Sequence, residues 1–111
     1  MSTLDNYTDW TRSTAIYPDV GTGSIRALSY VGLGLAGEAG EVADKIKKLL
    51  RDGDTETLRE KILDEAGDVL WYLARLAEEL GTDLEGLAGR NVSKLESRKA
   101  RNVLGGSGDS R

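Results

Sequence analysis

The chain has 111 residues, 31% of them charged, and a net charge of −4. That length predicts one domain, and the acidic balance gives no reason to expect nucleic acid or an anionic membrane as a partner. Histidine and cysteine are both absent, which excludes imidazole and thiolate metal sites, disulfides, and the nucleophile systems that need a histidine base.

The start, "MSTLDNYTDW", has no basic region leading into an apolar run, so no signal peptide is expected. No stretch is apolar enough for a membrane span, and the default reading is a cytoplasmic protein. A first helix is predicted from about Leu4 to Thr14, with Ser2 or Thr3 as its N-cap. "YPDVGTGS" holds the only proline and two glycines and reads as a loop. A second helix runs from about Ile25 to Leu50, where Gly53 suits a left-handed stop. A third runs from about Glu56 to Leu80 and ends at Gly81. "TDLE" fits a capping box that opens a fourth, which continues to about Ala100. There is no sustained period-2 alternation. The expected fold is therefore all-α, an antiparallel bundle of about four helices over residues 1–104. Residues 105–111 are rich in glycine and serine; composition reads them as a disordered tail, with "GGSGD" wrapping phosphates by its backbone amides as the alternative.

The second and third helices carry near-repeats, "GEAGEV" at residues 37–42 and "DEAGDV" at residues 64–69. Advancing about 100° per residue, Leu35, Ala39, Val42, Ile46 and Leu49 form one apolar seam, and Ile62, Ala66, Val69, Leu73 and Leu80 form another. Glu38 and Glu41 fall about 60° and 120° to one side of the first seam; Glu65 and Asp68 fall at the same offsets from the second. Helices packed seam to seam bring four acids toward one pocket. Two like charges about 5 Å apart cost roughly 3 kcal/mol at an effective dielectric near 20, so such a cluster calls for protons or cations. Carboxylates alone select hard cations, chiefly Mg²⁺ or Mn²⁺. A solvated acidic face is the plain alternative for either pair by itself. Gly40 and Gly67 suit close approach of a backbone or ligand, or simple close packing.

Glu38-x-x-Glu41, a gap spanning residues 42–64, and Glu65-x-x-Asp68 together resemble the metal signature of the MazG-like nucleoside triphosphate pyrophosphohydrolases. "GLAGEAGEVADKIKK" and "DEAGDVLWYLARLAEELG" are similar to that family's two central helices, and "NVSKLESRKARNVLGGSGD" to the C-terminal segment of its short members. The resemblance implies Mg²⁺-dependent hydrolysis of a nucleoside or deoxynucleoside triphosphate between the α and β phosphorus, with Mn²⁺ as a substitute. It implies Glu38, Glu41, Glu65 and Asp68 as metal ligands and sites built in dimers or tetramers of two dimers. Many relatives carry a further glutamate just before the first motif, where this chain has Gly37. The base is then a motif carboxylate, Glu41 or Glu38, a metal-bound hydroxide, or an outer acid such as Asp64 or Asp44, with Glu41 favoured as ligand and base together.

Around that signature, Tyr72 can donate to a phosphate oxygen or wedge beside the core. Asn91, Lys94 and Arg98 share one helical face, and with Arg101 they form the basic end of an acidic chain. The resemblance assigns this face to the triphosphate; the alternative is complementing a helix C-terminus. Trp10, Tyr17 and Tyr30 are the aromatic groups available for stacking on a base. Lys45 and Lys48, at i+4 and i+7 from Glu41, can touch phosphate, with solvated surface the favoured reading. The third helix also has a second apolar stripe, Leu63, Leu70 and Ala74, and Trp71 points away from the main seam. That pattern predicts a homo-oligomer. Two other functions remain open: a non-catalytic helical interaction module, and a pyrophosphohydrolase acting on phosphoribosyl-ATP.

Overall fold

The computed structural model describes residues 3–109 and 111 and is helical, with no strand among them. α1 spans Leu4–Thr11, α2 Ile25–Asp52, α3 Glu56–Glu79 and α4 Leu84–Ala100. Each helix begins where a short polar side chain takes an otherwise unpaired amide hydrogen. Thr3 Oγ1 accepts from Asn6 N at 3.1 Å, Ser24 Oγ from Ala27 N at 3.1 Å and Thr55 Oγ1 from Leu58 N at 3.2 Å. Ser2, the other cap considered for α1, lies outside the described residues. α4 is capped by Asp83, which accepts from Gly86 N at 2.8 Å, so the box opening at Thr82 does not form. Aspartate is as good a cap as threonine, and the helix starts one residue later.

α1 is shorter than expected, because Arg12–Thr14 tighten into a 3₁₀ turn. α2 runs two residues past Leu50 and stops at Gly53, whose φ of 111° lets its amide reach Leu49 O. α2 and α3 form an antiparallel hairpin, while α1 lies against α3 and α4. The core is small: Tyr17, Ala27 and Val31 are buried, with Trp71, Tyr72 and Leu76 packed against them. Beneath α1 the interior is polar. Thr8, Thr11 and Arg75 are buried together, and Thr8 Oγ1 accepts from the amide of Leu84 at 3.3 Å, docking the start of α4.

The chain does not close its own apolar seam. Val42, Leu49, Ile62 and Val69 are only half-buried, and Ala39, Ile46 and Ala66 are exposed. Ala39, Val42, Ala66 and Val69 line an open apolar cleft of about 260 Å³. The radius of gyration is 16.5 Å, against about 13 Å expected for a compact chain of this length. The accessible surface is 7379 Å², against about 6,000 Å² for a monomer of this mass.

The C-terminal tail is not free of the fold. Asp109 Oδ1 accepts from Lys94 Nζ at 3.1 Å and from the Arg98 guanidinium at 3.0 Å, and Arg111 donates to the carbonyls of Val103 and Gly108. These contacts hold residues 103–109 back along α4, where composition alone predicts disorder. Ser110 lies outside the described residues.

Candidate active site

Equal offsets on two adjacent helices bring three of the four acids together. Glu38 from α2 and Glu65 and Asp68 from α3 each offer a carboxylate oxygen, all within 4.8 Å of one another. Glu41, one turn on, is outside this group; its side chain is 56% exposed and pairs with Lys45 at 3.4 Å. The cluster carries its repulsion in two ways. A hydrogen bond with Glu65, then partial burial and the charges of Asp68, Glu65 and Glu41, hold the Glu38 carboxyl above its usual value. Lys45 Nζ, 3.1 Å from Glu65 Oε1, and the hydrogen bond from Glu38 hold Glu65 below its own. An ammonium thus stands among the acids. Every donor in this set is a carboxylate oxygen, which suits a hard divalent cation.

Beside the acids opens a cleft of about 370 Å³, lined by Trp10, Thr14, Glu38, Asp68, Trp71 and Tyr72. Its walls are aromatic and its floor acidic. Trp71 Nε1 donates to Thr14 Oγ1 at 2.8 Å, and the Trp71 ring meets Tyr72 edge-on at 5.0 Å and Tyr17 at 6.5 Å. Trp71, which points away from the main seam of α3, thus has partners within its own chain. The 3₁₀ turn after α1 folds over it, a non-local contact that helical angles cannot supply. Trp10 is half-exposed and stacks on Tyr7 at 5.9 Å. Tyr17 is buried and stacked on Tyr30 at 5.3 Å, so it serves the core and is not open to a base.

Tyr72 lies in the cleft because Gly34 makes room: its ring occupies the space a β-carbon at position 34 would need. Burial first, then the neighbouring Tyr30 and Glu38, push the Tyr72 phenol up, so it remains a hydrogen-bond donor. A β-carbon at Gly40 or Gly67 would meet no atom of another described element within 4 Å, so neither is a close-packing site among the described residues.

The basic residues of α4 sit elsewhere. Asn91 and Lys94 line a broad groove along α4 with Gly86, Leu87, Arg90 and Ser93. None of α4 lines the cleft beside the acids. Arg98 is buried and turned to the tail, with no partner for its Nε among the described residues, and Arg101 binds Ser97 Oγ and the Arg111 carbonyl. Sequence reasoning missed Thr14, Trp71 and Lys45 as neighbours of the acids. Only for Lys45 was there a signal, its i+4 spacing from Glu41.

Residues 28–103 match the family model of the MazG nucleotide pyrophosphohydrolase domain. The chain is also similar to the Gene 37 protein of Mycobacterium phage L5, 50% identical over 112 residues that cover 97% of this chain and 98% of the relative. No solved structure matches it.

Proposed function

The chain belongs to the MazG nucleotide pyrophosphohydrolase domain family, and from that premise we propose that it hydrolyses a nucleoside or deoxynucleoside triphosphate between the α and β phosphorus. The products are the monophosphate and pyrophosphate. The observation that carries this reading is the juxtaposition of three convergent carboxylates with an aromatic cleft wide enough for a nucleobase. A base between Trp10 and Trp71 gains stacking, and the phosphates then extend over the acids.

Glu38, Glu65 and Asp68 would hold Mg²⁺, or Mn²⁺ in its place, with Glu41 completing the set from one turn away. When bound, the metal offsets charge on the phosphates and acidifies water. Water attacks the α phosphorus, the bond from that phosphorus to the bridging oxygen breaks, and pyrophosphate leaves. Glu41 is the acid best placed to take the proton from water, being exposed and outside the three-acid cluster. Tyr72 donates its phenol to a phosphate oxygen. Asn91, Lys94, Arg98 and Arg101 lie away from the cleft of their own chain, so a role in triphosphate binding requires the α4 of a second copy or release of the tail. No helix is long and apolar enough to cross a membrane, and free nucleotides in the cytoplasm are the proposed substrate pool.

The test is a panel of every NTP and dNTP with Mg²⁺, read by pyrophosphate release. Turnover of one or a few supports the reading and names the base. No turnover of any, at micromolar enzyme, would leave phosphoribosyl-ATP as substrate or a non-catalytic helical module.

A homodimer, or a tetramer of two dimers, belongs to the same proposal. The surface in excess of a monomer of this mass is roughly 1,400 Å², the size one subunit gives up in an obligate interface. The open cleft at Ala39, Val42, Ala66 and Val69, with Leu63 71% and Leu50 90% exposed, is the apolar face proposed for that interface. Light scattering at micromolar concentration is expected to give at least twice 12.0 kDa. A 12.0 kDa species that still turns over substrate would remove the second subunit from the site.

A further inference from the structure

Lys45 stands inside the acidic site. Its side chain is only 18% exposed, and its ammonium bridges Glu65 on α3 at 3.1 Å and Glu41 on α2 at 3.4 Å. The other lysines of this turn, Lys47 and Lys48, pair with Asp44 and do not reach the acids. An i+4 pair to Glu41 forms on any helix surface. The reach across to the neighbouring helix is the informative contact, because it ties the acid outside the cluster to one inside it.

We propose that Lys45 is a positioning residue that takes the seat of a divalent cation in the metal-free site, and that metal loads by exchanging with it. The inference rests on the metal reading given above. Four carboxylates on two packed helices repel unless a cation lies among them. Lys45 supplies one charge, tethered to the fold and present at every metal concentration. A divalent ion supplies two and draws the carboxylate oxygens closer than an ammonium does. Metal binding must therefore break the Lys45–Glu65 contact, and the site binds free metal more weakly than its acids alone would. The displaced ammonium still lies beside the site and needs an anion, which the triphosphate provides. Metal and nucleotide then load together, and Lys45 carries part of that coupling.

The experiment is calorimetric titration of the full chain with Mn²⁺ alone, comparing wild type, Lys45→Met and Lys48→Met, with thermal melts of the metal-free proteins. Lys45→Met is expected to bind Mn²⁺ roughly fivefold more tightly, the scale of one partly exposed ion pair, while its metal-free midpoint falls. Lys48→Met is expected to match wild type in Mn²⁺ affinity. If Lys45→Met does not fold, Lys45→Gln serves the same comparison. Unchanged or weaker Mn²⁺ binding with the midpoint still lowered would reduce Lys45 to a structural ion pair and overturn the proposal. If wild type and variant alike bind no Mn²⁺, the metal reading itself falls and takes the proposal with it.

Discussion

Replacing Asp68 with asparagine is expected to lower pyrophosphate release from the preferred triphosphate by about a hundredfold or more, with the metal-free chain as stable as wild type or slightly more so. A bound divalent ion contributes several kcal/mol of charge stabilisation to phosphoryl transfer, and each ~1.4 kcal/mol is tenfold in rate. An amide keeps the shape of the carboxylate but gives up the charge that fixes the ion. The stability half follows from the surroundings. Asp68 is exposed, makes no ion pair with a described residue in the chain, and its charge is one of those that push Glu38 up. Removing it relieves repulsion and breaks no described salt bridge. Turnover near wild type would place the metal elsewhere. A large fall in the melting midpoint would show that Asp68 serves the fold.

The acids were legible before the fold because helical geometry is local. The offset of Glu38 on α2 and of Glu65 and Asp68 on α3 depends only on 3.6 residues per turn, and the caps that start and stop those helices are read within four residues. Contacts made by chain segments far apart in sequence were not. Trp71 looked unpartnered because nothing in its own helix says that residues 12–14 return over it. Glu41 shared the spacing of the others, yet the crossing of two real helices carries it just outside the cluster. Lys45 looked solvated, since only the packing of α3 against α2 puts Glu65 within its reach. Arg75 and Glu79 were invisible for the same reason. Nothing local shows that the loop before α2 leaves these two side chains only 1% and 0% exposed.

That buried pair gives the largest expected effect on stability: Glu79→Ala should cost about 3 kcal/mol, near the lower end for breaking a buried ion pair, and lower the midpoint by roughly 13 °C. The Glu79 carboxylate is fully shielded, and four groups converge on it. Tyr17 Oη donates to Oε2 at 2.5 Å, the amides of Gly21 and Gly23 donate at 2.7 and 2.9 Å, and Arg75 lies 3.6 Å away. The loop can wrap so closely only because position 23 is glycine: its φ is 68°, and a β-carbon there would sit 2.8 Å from the Glu79 carbonyl oxygen. Truncation at 79 strands two loop amides and leaves Arg75, itself 1% exposed, without its buried countercharge. Burial pushes the Tyr17 phenol up to about 12, so it stays a donor throughout the accessible range. Burial also opposes the Glu79 charge, but the bonds from Tyr17, Gly21 and Gly23 and the charge of Arg75 outweigh it and hold the carboxyl below its ordinary value of 4.5. A depressed folded-state value stabilises above the unfolded one, so this contribution is complete above pH 4.5 and disappears as pH falls through the folded value. Wild type should therefore lose midpoint on acidification faster than Glu79→Ala, and the two melting curves should converge in acid. Tyr17→Phe removes the donor to Glu79 and the acceptor of the Arg75 Nε bond but keeps the charge pair, so about 2 kcal/mol is expected from it, a milder variant should Glu79→Ala fail to fold. The clamp also bears on the cleft, since the loop it fixes carries Tyr17 against Trp71. Loosening it should raise KM for the nucleotide more than it lowers kcat. Parallel pH–midpoint curves for wild type and Glu79→Ala would mean that Glu79 is not held as a charged acceptor, and the clamp would then be a matter of packing alone.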